Sequence, residues 1–189
     1  MPLFSILQHS RRNDVLKYAV AALKTDFRTV LREIEPRWVR QLISNNNEVV
    51  HEFVVWILEN VSRFEQSKFR ELDLHDSVLQ LLDSQSELAR ALAAKYARVH
   101  ARDIPILRLI RLANSADQKV RGLATDLLRS HDPRNEVGLD AWGQLLDTKH
   151  GNKMAVEILR KHFTADDLTP KWFKERLLSG RKRSVEFAK

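Results

Sequence analysis

An all-α fold of repeated helix pairs is what this sequence predicts, and three observations predict it. Leucine supplies 27 of the 189 residues, whereas glycine and proline supply five each. That is well below the averages of roughly 7% Gly and 5% Pro, and turn-rich β sandwiches or barrels need those residues. Third, one apolar pattern returns along the chain at nearly constant spacing, which is the signature of a repeat architecture.

The second helix of each unit carries the pattern. Leu92-Ala93-x-x-Tyr96-Ala97-Arg98, Leu123-Ala124-x-x-Leu127-Leu128-Arg129 and Met154-Ala155-x-x-Ile158-Leu159-Arg160 match at a constant offset of 31. Upstream, Tyr18-Ala19-x-x-Ala22-Leu23-Lys24 and Phe53-Val54-x-x-Ile57-Leu58-Glu59 share the register, and downstream Phe187-Ala188 begins it again. Positions i, i+1, i+4 and i+5 lie on one helical face, and the recurring alanine lets a neighbouring helix approach closely. A helix that buries one stripe needs a partner on that side.

The partner precedes it. First helices are expected at Pro36-x-Trp38-x-x-x-Leu42-Ile43, Leu74 to Leu82, Ile104-Pro105-Ile106 to Leu112, Asp140-x-Trp142-x-x-Leu145-Leu146, and Pro170-x-Trp172 to Leu178. Proline suits a first helical turn, where its missing N–H costs nothing. Glu35 and Asp140 stand where caps or dipole partners belong, and Asp117 is spaced to cap the helix through Val120. Polar linkers join the two helices of a pair at residues 44–47, 83–86, 114–117 and 147–152. They are rich in the Asn, Asp and Ser of turns and caps.

A helix–turn–helix unit of 31–39 residues, with Asp117 in the turn, then Val120-Arg121, then Leu123-Ala124, resembles the HEAT/armadillo-like helical repeat family. The resemblance covers nearly the whole chain. It implies a right-handed α-solenoid (an α-α superhelix) of about five helix pairs, forming a single repeat domain over residues 1–189. It also implies a non-catalytic scaffold that mediates protein–protein interaction through a concave face. The register stops one turn or so into a second helix at Val185 to Lys189, so the chain reads as a segment of a longer repeat protein.

Several function classes are excluded or disfavoured. The chain has no cysteine, which removes disulfide scaffolds, thiolate zinc sites and cysteine nucleophiles. No G-x-G-x-x-G, Walker or G-x-S-x-G pattern occurs. No apolar run approaches 18 residues, and Met1 to Ser10 lacks the basic n-region of a signal peptide. The expectation is a soluble, cytoplasmic protein that is not an enzyme, with no cofactor, no metal, no membrane association and no small-molecule substrate. The seven histidines form no short ligand pair and read mostly as surface or helix-end residues.

The net charge of +7 is zoned: residues 1–40 carry +4, residues 41–90 carry −5 and residues 91–135 carry +5. Lys24, Arg98, Arg129 and Arg160 occupy one repeat position, interrupted by Glu59, and Arg90 and Arg121 form a second row at the offset of 31. Two readings fit. Cations near helix C-termini complement the helix dipole, and Arg121 suits the Asp–Arg ladder that the family resemblance implies. Alternatively the rows form a stripe that follows a phosphate backbone. The alternative function is therefore a nucleic-acid (DNA) binding module, repair-related in the manner of HEAT-like DNA glycosylases. Those enzymes pair aromatic side chains with an acidic residue. No such constellation occurs here, so no catalytic residue is carried over. A third reading is a spacer between other domains.

Trp38, Trp142 and Trp172 recur in register and read as core. Trp56 flanks the stripe of Val50, Val54, Ile57 and Val61, and is either packed against the next repeat or a partly exposed partner-binding anchor. The basic tail around Arg181-Lys182-Arg183 is a solvated turn or a contact for nucleic acid or an acidic partner. The speculative binding residues are thus Arg90, Arg98, Arg121, Arg129, Arg160 and Trp56.

Overall fold

The computed structural model describes residues 2–178 and 181–188. Among them all regular structure is helical and no strand occurs. The packing groups into two compact units, Met1–His100 and Ala101–Lys189.

The first unit contains α1 (Pro2–His9), α2 (Asn13–Thr25), α3 (Arg28–Arg32), α4 (Pro36–Ser44), α5 (Glu48–Asn60), α6 (His75–Gln80) and α7 (Glu87–His100). Helices α1 and α2, α4 and α5, and α6 and α7 pack as antecedent and successor. The antecedents also contact one another in order, α1 to α4 to α6, as do the successors α2, α5 and α7. Helix α5 lies in the middle of the second row and is buried on most sides, through Val50, His51, Phe53, Val54, Val55, Ile57 and Leu58. An apolar surface that wide cannot stand in water, so α5 needs cover from α2, α4 and α7 together. Asn47 starts it by accepting from the N–H groups of Val49 (2.9 Å) and Val50 (3.4 Å).

The second unit contains α8 (Ile106–Ala113), α9 (Gln118–Ser130), α10 (Leu139–Leu146), α11 (Asn152–His162), α12 (Pro170–Leu178) and α13 (Lys182–Ala188). It repeats the pairing as α8 with α9, α10 with α11 and α12 with α13. Helix α9 follows its sequence closely. Asp117 accepts from the N–H groups of Lys119 (2.8 Å) and Val120 (3.1 Å). Val120, Leu123, Ala124, Leu127 and Leu128 then bury a stripe at spacings of three and four. Trp142 is fully buried, and its indole N–H donates to the Pro133 carbonyl at 3.0 Å. Trp172 is buried as well, whereas Trp38 is half-buried against Phe4, with ring centroids 4.3 Å apart.

Four details depart from the sequence reading. Tyr18 is 72% exposed, because α2 buries Leu16, Ala19 and Leu23. Tyr18 lies two residues beyond Leu16, about 200° around the helix, and so faces away. The expected helix over Leu74 to Leu82 is α6 continued by a 3-10 turn at Leu81–Asp83. Helix α3 and a wide turn at Pro133–Val137 were not anticipated. Asp132 builds that turn by accepting from the N–H groups of Arg134 (2.9 Å) and Asn135 (2.6 Å), and Gly138 closes it at φ +82°. Glu35, at the N-cap of α4, makes no side-chain cap bond and pairs instead with Arg37 at 3.2 Å, whereas Asp140 lies in the first turn of α10, where a dipole partner belongs.

Candidate functional site

The turns between paired helices share one hydrogen-bond plan. Arg90 donates from Nη1 to the carbonyls of Ser84 and Gln85, both at 2.8 Å. Thirty-one residues on, Arg121 donates from Nη1 to the carbonyls of Ser115 (2.7 Å) and Ala116 (3.1 Å). Another 31 residues on, Asn152 donates from Nδ2 to the Leu146 carbonyl at 2.6 Å. The bond three residues ahead repeats too: the Ala89 N–H donates to Ser86 Oγ at 3.3 Å, the Val120 N–H to Asp117, and, in the turn just before α11, the Gly151 N–H to Thr148 Oγ1 at 3.0 Å. The second arginine row is therefore a turn brace, in which each guanidinium ties the first turn of a second helix back to the loop before it.

Successive turns are also tied to each other. In the first unit, Asn45 Nδ2 donates to the Leu7 carbonyl (2.8 Å) and Asn47 Nδ2 to Asn13 Oδ1 (3.0 Å). His51 occupies the brace register of the next turn. Its Nε2 meets the Ile43 carbonyl at 2.9 Å and its Nδ1 meets Ser84 Oγ at 2.7 Å. A carbonyl only accepts, so Nε2 carries the proton, and Nδ1 accepts from the Ser84 hydroxyl. Burial pushes the His51 pKa down, against the Ile43 carbonyl, which pulls it up. In the second unit, the His150 N–H donates to Asn114 Oδ1 (3.3 Å), and Ser184 donates to Asp147 from its hydroxyl (2.6 Å) and its N–H (3.3 Å). Five of the seven histidines are not buried, as expected of most of them, whereas His51 and His75 are buried and hydrogen-bonded. The His75 ring bonds the Tyr96 hydroxyl at 2.6 Å.

The first arginine row has a different setting. Lys24, Arg98, Arg129 and Arg160 all lie in the last turns of their helices, where cations meet the negative end of the helix dipole. Arg98, Arg129 and Arg160 are exposed. Arg129 pairs with Glu157 of α11 at 3.2 Å. A groove of about 380 Å³ runs between α9 and α11. Arg121, Arg129 and Lys153 line it together with Asp126, Glu157 and Met154, so both signs of charge face an apolar side chain.

Trp56 is half-buried and stacks on Phe53, with centroids 6.1 Å apart. Lys24 Nζ lies 5.2 Å from the Trp56 ring centroid. Burial against these rings pushes the Lys24 pKa down, and Glu52 pulls it up. The outer edge of Trp56 joins Arg28 and Arg32 around a pocket of about 190 Å³.

A larger cleft joins the Arg181-Lys182-Arg183 cluster named from the sequence to Lys149, which was not. It holds about 870 Å³ in the second unit, between the turn at residues 147–152 and the start of α13. Lys149 and Arg181-Lys182-Arg183 meet there. The available signal was the repeat offset, since Lys149 and Lys182 stand in successive turns 33 residues apart.

Among the described residues no helix is long and apolar enough to cross a membrane. No protein-family model, curated protein or solved structure matches the chain.

Proposed function

We propose that this chain is a non-catalytic helical-repeat scaffold, a right-handed solenoid of HEAT-like pairs that holds a protein segment against its second helices. The groove between α9 and α11 carries this reading. Its wall mixes Arg121 and Lys153 with Asp126 and Glu157 around Met154, which suits a peptide with both charged and apolar side chains. A phosphate stripe along the first arginine row is less well supported, because Glu157 neutralises Arg129 at 3.2 Å.

Selection of a random peptide library displayed on phage against the immobilised protein tests the reading. A recurrent sequence family is expected, with affinity falling about tenfold, or about 1.4 kcal/mol, in Lys153→Glu and in Met154→Ala. Enrichment of no family, or of one indifferent to both substitutions, would remove this groove as the site.

A further inference from the structure

The cleft on the turn ridge of the second unit has a chemistry unlike that of the α9–α11 groove. Lys149, Arg181, Lys182 and Arg183 stand in its wall against Asp147 and Glu186. Asp147 is already committed: it is nearly buried, it pairs with Arg181 at 3.1 Å and it accepts from Ser184 at 2.6 Å. That leaves Glu186 as the one carboxylate of the wall facing Lys149, Lys182 and Arg183.

The remaining wall residues are Asn114, Gln144 and Thr148. Among the described residues no apolar or aromatic side chain lines the cleft. An adjoining hollow of about 410 Å³ shares Asn114, Gln144, Thr148 and Arg181 and extends towards Arg111, with Leu107 and Ile110 also in its wall. A protein ligand is held chiefly by buried aromatic or aliphatic anchors; the apolar residues Leu107 and Ile110 belong to the adjoining hollow and not to the wall that carries Lys149, Lys182 and Arg183. Lys and Arg together with Asn, Gln and Thr are instead the groups that contact nucleic-acid phosphates. The turns that present them are held in place by the Asn152, Thr148 and Asp147 bonds described above.

We infer that this cleft docks the phosphate backbone of double-stranded nucleic acid, without base readout, at a place separate from the repeat arginine row. Binding is then electrostatic and releases counterions in proportion to the phosphates contacted.

Fluorescence anisotropy of a labelled DNA duplex, titrated with the whole protein between about 50 and 200 mM salt, tests this. Wild type should bind at the lower salt and weaken steeply. The double variant Lys149→Glu/Arg183→Glu should lose at least about tenfold in affinity, and the slope of log affinity against log salt should flatten by about two. Arg98→Glu/Arg129→Glu should bind as wild type does. Circular dichroism confirms that each variant keeps its helix content. The inference fails on three outcomes: no duplex binding at about 50 mM salt, loss confined to the Arg98/Arg129 variant, or equal affinity for poly-glutamate. The last would assign the cleft to an acidic protein.

Discussion

His51 is the residue on which chemistry and packing meet most closely. Its ring joins two successive turns, accepting from Ser84 on one side and donating to Ile43 on the other. Burial depresses its folded pKa below the usual 6.5. Below about pH 6.5 the unfolded chain takes up a proton that the folded ring refuses, so stability is full above that pH and declines as pH falls towards the folded pKa. Urea unfolding at pH 7.5 and 5.5 should therefore give a lower midpoint at the acid pH. His51→Ala should cost about 2–3 kcal/mol at pH 7.5, since the Ser84 hydroxyl and the Ile43 carbonyl lose a buried partner. It should also shrink the difference between the two pH values; an undiminished difference would assign it to other groups. Gly138 makes a second residue-scale case. Its φ of +82° and ψ of +159° lie in a region essentially closed to L side chains, although a Cβ there would meet nothing within 4 Å. Gly138→Ala should thus cost about 1–3 kcal/mol through the backbone alone, as measured by denaturant midpoint.

At the scale of the element, the turn brace explains why arginine recurs at residues 90 and 121. A second helix begins with N–H groups that lack partners, and the loop before it ends with carbonyls in the same condition. The cap residue serves the first set and the brace serves the second. Arg121→Ala removes two bonds to turn carbonyls and should lower stability by about 1–3 kcal/mol. Asp117→Ala removes the cap and should cost about 1 kcal/mol. Both serve one turn, so the double variant should cost less or more than their sum by at least about 0.5 kcal/mol in calorimetry. Strict additivity would separate the two roles. The first arginine row differs, because its members sit at helix ends and its three arginines are exposed. Their recurrence follows from the dipole at each second-helix C-terminus.

At the scale of the molecule, Met1–His100 and Ala101–Lys189 each own a core. The first is centred on α5, with Phe53, Leu42, Leu16 and Ile57 buried, and the second on Trp142, Leu123, Leu128 and Leu159. Chains of this length can bury enough apolar surface to fold alone. Residues 1–100 expressed by themselves should retain a helical circular dichroism spectrum with cooperative thermal loss. A fragment that melts without a transition would mean that its core is incomplete.

That the chain is helical, where most second helices lie and that Asp117 caps one of them were legible in the residues alone. Each of these depends on neighbours within a few residues: the i, i+1, i+4, i+5 stripe, Asp117 two and three residues ahead of the N–H groups it caps, and Pro36 and Pro170 in first turns. What the recurrent side chains do depends on packing between distant parts of the chain. Arg90 and Arg129 look alike as repeat positions, yet one braces a loop and the other pairs with Glu157 across a groove. The burial of His51 depends on a serine 33 residues away, and the basic cleft on Lys149 meeting a turn more than 30 residues later. Periodicity along a chain specifies which face of a helix is apolar; it does not specify which turn that helix sets beside another, and charge is felt through space.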